Sequence, residues 1–211
     1  MAEASTSERP RGGRLPRNAR RTQLLGAALD VFVERGYHAA SMDDIADEAG
    51  VSKPVLYQHF PSKLELYLAL LDSSVDTIVA GVNDALAATE DNKARVHATV
   101  DVFYSYVSRS EAAFRLVFES DLTSDPSVRK RMERMTTETA RAVATVIRGD
   151  TGLSTVASEL LAVSLVGMGQ IGARYWLDNA RTLGKDEAVE LVSRLLWRGI
   201  SGIPLTDDNG A

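Results

Sequence analysis

The 211-residue chain contains no cysteine. That excludes disulfides, cysteine nucleophiles and thiolate zinc sites. Its three histidines, His38, His59 and His97, are spread out, without H-x-x-x-H spacing or a carboxylate set beside them, so no metal site is expected. No apolar run reads as long enough to span a bilayer. The N-terminal stretch is polar and arginine-rich, unlike a secretory leader, and a cytoplasmic location with no membrane partner is expected. P-loop, G-x-S-x-G and zincin motifs are missing. The acidic pairs Asp43/Asp44 and Asp47/Glu48 fit the cap and wet face of a helix better than a glycosidase dyad. The sequence therefore gives no catalytic residue, no cofactor and no enzyme.

What is present is uneven charge and a compact helical motif. Six arginines against two glutamates in residues 1–21 give that arm +4, which leaves −9 on the rest of a chain of net charge −5. A basic arm on an acidic body suits local contact with phosphate. In the stretch Ser41–Lys63, SMDDIADEAGVSKPVLYQHFPSK, Ser41 caps a short helix with Asp43 and Asp44 in its first turn. Ile45, Ala46 and Ala49 point inward. Gly50 takes the left-handed turn, Ser52 caps a second helix, and Pro54 sits in that helix's first turn. Val51, Val55, Leu56 and Phe60 form its apolar face, leaving Lys53, Tyr57, Gln58 and His59 outward. Two helices joined this way are a helix-turn-helix, whose second helix enters the DNA major groove.

No alternating strand pattern occurs, and the rest of the chain reads as helix. The expectation is an all-α fold of about nine helices: a three-helix helix-turn-helix domain at 18–71 and a helical effector and dimerisation domain at 72–205. A disordered basic arm at 1–17 and a polar tail at 206–211 flank them. The first helix runs from about Asn18 to Arg35 and stops at Gly36, with Tyr37–Ala40 as a loop. The fourth restarts at Ser62 and continues to about Ala87, so that one helix belongs to both domains. Later helices are read at Asn92–Arg109, Glu111–Leu122, Pro126–Arg148, Ser154–Asn179 and Asp186–Gly202. Residues 167–172 read Gly-Met-Gly-Gln-Ile-Gly. They lie inside an apolar helical run, so the dinucleotide fingerprint is a false match. Three glycines in a helix cost roughly 1 kcal/mol each against alanine; close packing or space for a ligand must offset that.

From Arg21 to about Leu71 the chain resembles the DNA-binding domain of the TetR family of bacterial transcription regulators. The carrying residues are Leu24, Leu25, Ala28, Leu29, Phe32, Gly36 and Tyr37; then Ser41, Ile45, Ala46, Ala49, Gly50, Val51 and Ser52; then Leu56, Tyr57, Phe60, Lys63 and Leu66. The stretches FRLVFESD, LVGMGQIGARYWLD and GIPLT extend the resemblance, toward TetR-type regulators of fatty acid synthase genes, which respond to long-chain acyl-CoA. The resemblance implies a homodimer on a pseudo-palindromic, double-stranded operator, acting as a repressor that a small apolar effector releases. The sign of regulation is left open by the residues. A TetR-type repressor of an efflux or lipid-breakdown gene is the alternative.

It also implies site residues. Tyr57 and His59 match phosphate contacts, and Ser41, Ser52 and Lys63 are expected to join them. Lys53 is placed to read guanine, Gln58 adenine, and Pro54 and Val55 a thymine methyl. Phe103, Val107, Phe114, Phe118, Met135, Val166 and Gly169 are the expected effector lining. Trp176, Leu177, Leu191, Leu195 and Trp197 are the expected dimer interface.

Overall fold

A computed structural model describes residues 16–109 and 121–199. Among them are eight α-helices and no strand. They are α1 (Arg17–Ala39), α2 (Met42–Glu48), α3 (Lys53–His59), α4 (Lys63–Ala87), α5 (Asn92–Arg109), α6 (Pro126–Thr151), α7 (Thr155–Asp178) and α8 (Lys185–Arg198). A 3-10 turn, Asp121–Ser124, precedes α6. The expected helix Glu111–Leu122 falls almost wholly outside the described residues.

The local chemistry of α1 to α3 is that of the reading motif. Gly36 has φ +74°, a conformation that glycine, with no Cβ, adopts at little cost. It breaks α1 there, and a further helical turn, rather than the expected loop, runs on to Ala39. Ser41 forms a reciprocal capping box with Asp44: its hydroxyl accepts from the Asp44 amide, and the Asp44 carboxylate accepts from the Ser41 amide. Gly50, φ +62°, turns the chain toward α3. Ser52 stands at the N-cap of α3, yet its hydroxyl makes no cap hydrogen bond, contrary to its expected role. Gln23 of α1 donates to the Ala49 carbonyl at 2.8 Å and ties the turn to the first helix.

Two apolar cores follow one another along α4. Leu24, Phe32, Ile45, Leu56, Phe60 and Leu66 to Leu71 pack in the first. The second begins at Val75 and takes in Ile78, Val82, Val100, Tyr104, Met135 and Trp176. The 25 residues of α4 make a rod of roughly 37 Å, long enough to serve both. Helix α6 also reaches both: Val128, near its start, is fully buried in the first core, and Met135 in the second. Gly81 lets α4 approach α5, since a Cβ there would lie 2.8 Å from Val102. Of the three glycines in α7, Gly172 faces the Tyr104 hydroxyl, 3.0 Å from where a Cβ would stand.

Helix α7 corrects one expectation. By length and apolar composition it could cross a membrane. In the fold it divides by face instead. Ala162, Ala173, Trp176 and Leu177 are buried, while Val156, Leu160, Val163, Ile171 and Tyr175 are exposed.

Candidate nucleic-acid face and effector cavity

The outward residues of α3 form one edge of a polar and basic face. Lys53, Pro54, Tyr57 and Gln58 are exposed, and Val55 and His59 partly so. Lys53 pairs with Asp43 across the turn, which raises its pKa. The first turns of α1 lie beside the end of α3: the Arg21 guanidinium stacks 4.4 Å from the centre of the Phe60 ring. Partial burial, with Arg17, Arg21 and Arg20 nearby, holds the His59 pKa below its ordinary value. Such a cluster of cations is what a phosphate backbone would neutralise.

Two expected contacts are spent inside the protein. The Lys63 ammonium donates to the carbonyls of Tyr37 (2.8 Å), His38 (3.3 Å) and Ala40 (2.7 Å), and lies over the Tyr37 ring. It closes the end of α1 onto α4 and is not presented to a phosphate. The Ser41 hydroxyl donates to Asp44 at 2.6 Å. Sequence reading placed the arginines of α1 in a basic arm but missed their position against α3. The stack of Arg21 on Phe60 was the absent clue.

The second domain holds a partly open cavity of about 340 Å³, within the range of small-molecule sites. Its walls come from α4 (Ile78, Val82, Leu86), α5 (Val96, Val100, Phe103), α6 (Val143, Val146, Ile147), α7 (Leu165, Val166, Gly169) and α8 (Leu196, Trp197). Of the expected lining, Phe103, Val166 and Gly169 are there. Val107 and Met135 are not: both are packed in the second core, away from the opening between helices. Phe114 and Phe118 lie outside the described residues. Beyond its own stretch of helix, no described residue comes within 4 Å of where a Gly169 Cβ would stand. At one end Arg95, Asn92 and Asp150 form the cavity's charged corner.

The expected dimer residues divide. Trp176 is only 4% and Leu177 5% exposed; the Trp176 indole donates to the Leu183 carbonyl at 2.8 Å and its ring packs on Tyr104. They are core. Leu191, Leu195 and Trp197 are exposed, and so are the apolar residues of α7 that point away from the core.

Residues 24–70, the reading motif with the helix before it and the start of α4, match the bacterial regulatory proteins of the tetR family. The chain is 49% identical over 210 residues to the HTH-type transcriptional activator FasR of Mycolicibacterium smegmatis, covering 97% of this chain and 96% of that one. The chain belongs to the TetR family. Its fold matches a TetR-like regulator from Rhodococcus sp. RHA1 with TM-score 0.69 and 29% identity, over 90% of this chain and all of the other. It also matches the transcriptional regulator FadR from Bacillus subtilis in complex with stearoyl-CoA, with TM-score 0.71 and 19% identity, over 85% and 98% of the two chains. As a TetR-family member the chain is a DNA-binding transcription regulator, with α3 in the place of the recognition helix.

Proposed function

We propose that the protein is a homodimeric transcription regulator of fatty acid synthesis genes, controlled by a long-chain acyl-CoA bound in the cavity between α4, α5, α6, α7 and α8. It works by binding rather than by catalysis, in the cytoplasm, on a pseudo-palindromic operator. The observation that carries this reading is the shared framework of cavity and reading head. Helix α4 lines the cavity with Ile78, Val82 and Leu86 and packs the reading core with Leu66 to Leu71. Helix α6 lines it with Val143 and Ile147 and seats Val128 in that same core. A ligand that spreads α4 from α6 must shift the reading head of each subunit. It thereby selects one spacing of the two recognition helices.

Support for the ligand class comes from the mostly apolar cavity wall and from the stearoyl-CoA held by a FadR of this fold. That the 49% identical relative is a transcriptional activator favours activation over the repression that the family resemblance implied. On DNA, Lys53, Pro54, Val55 and Gln58 would meet base edges, while Tyr57, His59, Ser52 and the α1 arginines would meet phosphates. The exposed faces of α7 and α8 would form the two-fold interface.

Operator binding titrated with acyl-CoA of short, medium and long chains tests the reading. The half-maximal concentration should fall by up to about fourfold for each added CH₂ until the cavity is full. Gly169→Leu should abolish the response while leaving basal DNA binding intact. A response independent of chain length would overturn the acyl-CoA assignment.

A further inference from the structure

Among the described residues the cavity wall carries two charges, and both stand at the same end. Arg95, near the start of α5, and Asp150, in the last turn of α6, meet there with Asn92. Tyr104, on the wall farther along α5, lies about 13 Å from Arg95 by helix rise, and Thr139 and Gln170, also on the wall, are uncharged. The cavity is thus polarised along its length, with an apolar body and an ionic mouth.

The geometry of Arg95 is that of a held but underused cation. Its Nε donates to the Leu86 carbonyl at 3.0 Å and its Nη1 to Asn92 Oδ1 at 2.9 Å, which fix the guanidinium on the frame. Its one carboxylate partner among the described residues, Asp150, is at 3.4 Å, the longest of these contacts. Nη2 donates to no described residue. Asp150 is exposed and is also held by Asn92 Nδ2 at 2.8 Å. A carboxylate with access to water leaves such a pair at little cost, since ion pairs open to solvent contribute little. The planar guanidinium fits a carboxylate or phosphate through two donors.

We infer that this mouth is a headgroup site, in which Arg95 takes the anionic oxygen group of a single-chain amphiphile in exchange for Asp150. The chain lies along the apolar body and the charged end stops at Arg95. An uncharged lipid would leave the Arg95–Asp150 pair closed. This assignment rests on the cavity being the effector site. It adds the residue that selects the ligand's charge.

The test compares palmitate, palmitoyl-CoA and 1-hexadecanol on the full-length protein, by displacement of a fluorescent fatty acid. Arg95→Gln should weaken at least one of the anionic ligands about tenfold and leave hexadecanol unchanged. A loss confined to palmitate identifies a carboxylate as the bound group, and one confined to palmitoyl-CoA identifies a phosphate. Asp150→Asn, which keeps Arg95 in place, should tighten the same ligand several-fold; it carries the test if Arg95→Gln melts early. Equal effects of both variants on all three ligands, or no effect on any, would overturn the headgroup site. If the wild-type protein bound none of the three, the effector reading itself would fall, and the headgroup site with it.

Discussion

The Lys63 ammonium sits 2.7 Å from the Ala40 carbonyl, at the seam between the end of α1 and the start of α4. With the Tyr37 and His38 carbonyls it completes a three-acceptor cage. Hydrogen bonds from a charged donor contribute about 1.5–3 kcal/mol, and unmade ones leave the acceptors bare. Lys63→Ala should therefore destabilise the protein by about 2 kcal/mol and lower its melting temperature by several degrees. The salt dependence of DNA binding should stay the same, because no phosphate contact is lost. A slope reduced by one counterion in a protein of unchanged stability would return Lys63 to the DNA face.

A second pair links the domains. Arg134 of α6 donates to Asp72 of α4 at 3.0 Å, Arg131 reaches the same carboxylate at 3.1 Å, and Arg134 also pairs with Asp76. The cluster stands between the reading core and the cavity, where α4 and α6 cross. Asp72→Asn should leave operator affinity without ligand within about twofold. The ligand-induced change in affinity should shrink by at least about threefold, a loss within the ordinary size of coupling energies. Fluorescence anisotropy on operator DNA, with and without saturating acyl-CoA, measures both. An unchanged ratio would remove this cluster from the coupling.

The reading motif was legible in the sequence because its signals are local. Ser41 and Asp44 cap a helix within one turn, Gly50 needs its positive φ at one residue, and Leu56 and Phe60 share a face by spacing alone. Lys63 was misread because its partners lie 23 to 26 residues earlier, and no spacing rule reports such a contact. Helix α7 is apolar on nearly every side, so periodicity could not tell that Trp176 points inward and Tyr175 outward. The cavity is harder still. Met135 and Val143 lie two turns apart on α6 with similar chemistry, yet only Val143 stands where the helices separate. Cavity and core differ in the spacing of helices, which composition does not encode.

Proton linkage follows from His59. In the free protein its pKa lies below the ordinary value through partial burial and three nearby arginines. DNA phosphates would offset those cations and raise it. The complex then binds more protons than the free protein, so affinity should rise as pH falls from about 7.5 toward 6. His59→Gln should flatten that dependence. A wild-type profile flat over this range would show that His59 does not approach the backbone.

The proposed dimer face can be separated from the core by paired substitutions on one helix. Ile171 is 74% and Tyr175 73% exposed, one turn apart on α7, and Leu160 and Val163 lie exposed nearer its start. Leu191, Leu195 and Trp197 add exposed apolar surface on α8. Water-exposed apolar patches of this extent mark association surfaces, and a two-fold axis would set each patch against its copy. Ile171→Glu would place like charges face to face in such an interface and desolvate both. It should give a folded monomer by sedimentation, with operator affinity reduced because one subunit reaches only one half-site. Trp176 is the contrast. Its ring is buried against Tyr104 within the subunit, so Trp176→Ala should cost about 3–5 kcal/mol of stability by opening a cavity. A Trp176→Ala protein that stayed as stable as wild type but dissociated would reverse the assignment of faces. An Ile171→Glu protein that remained dimeric would move the interface off α7.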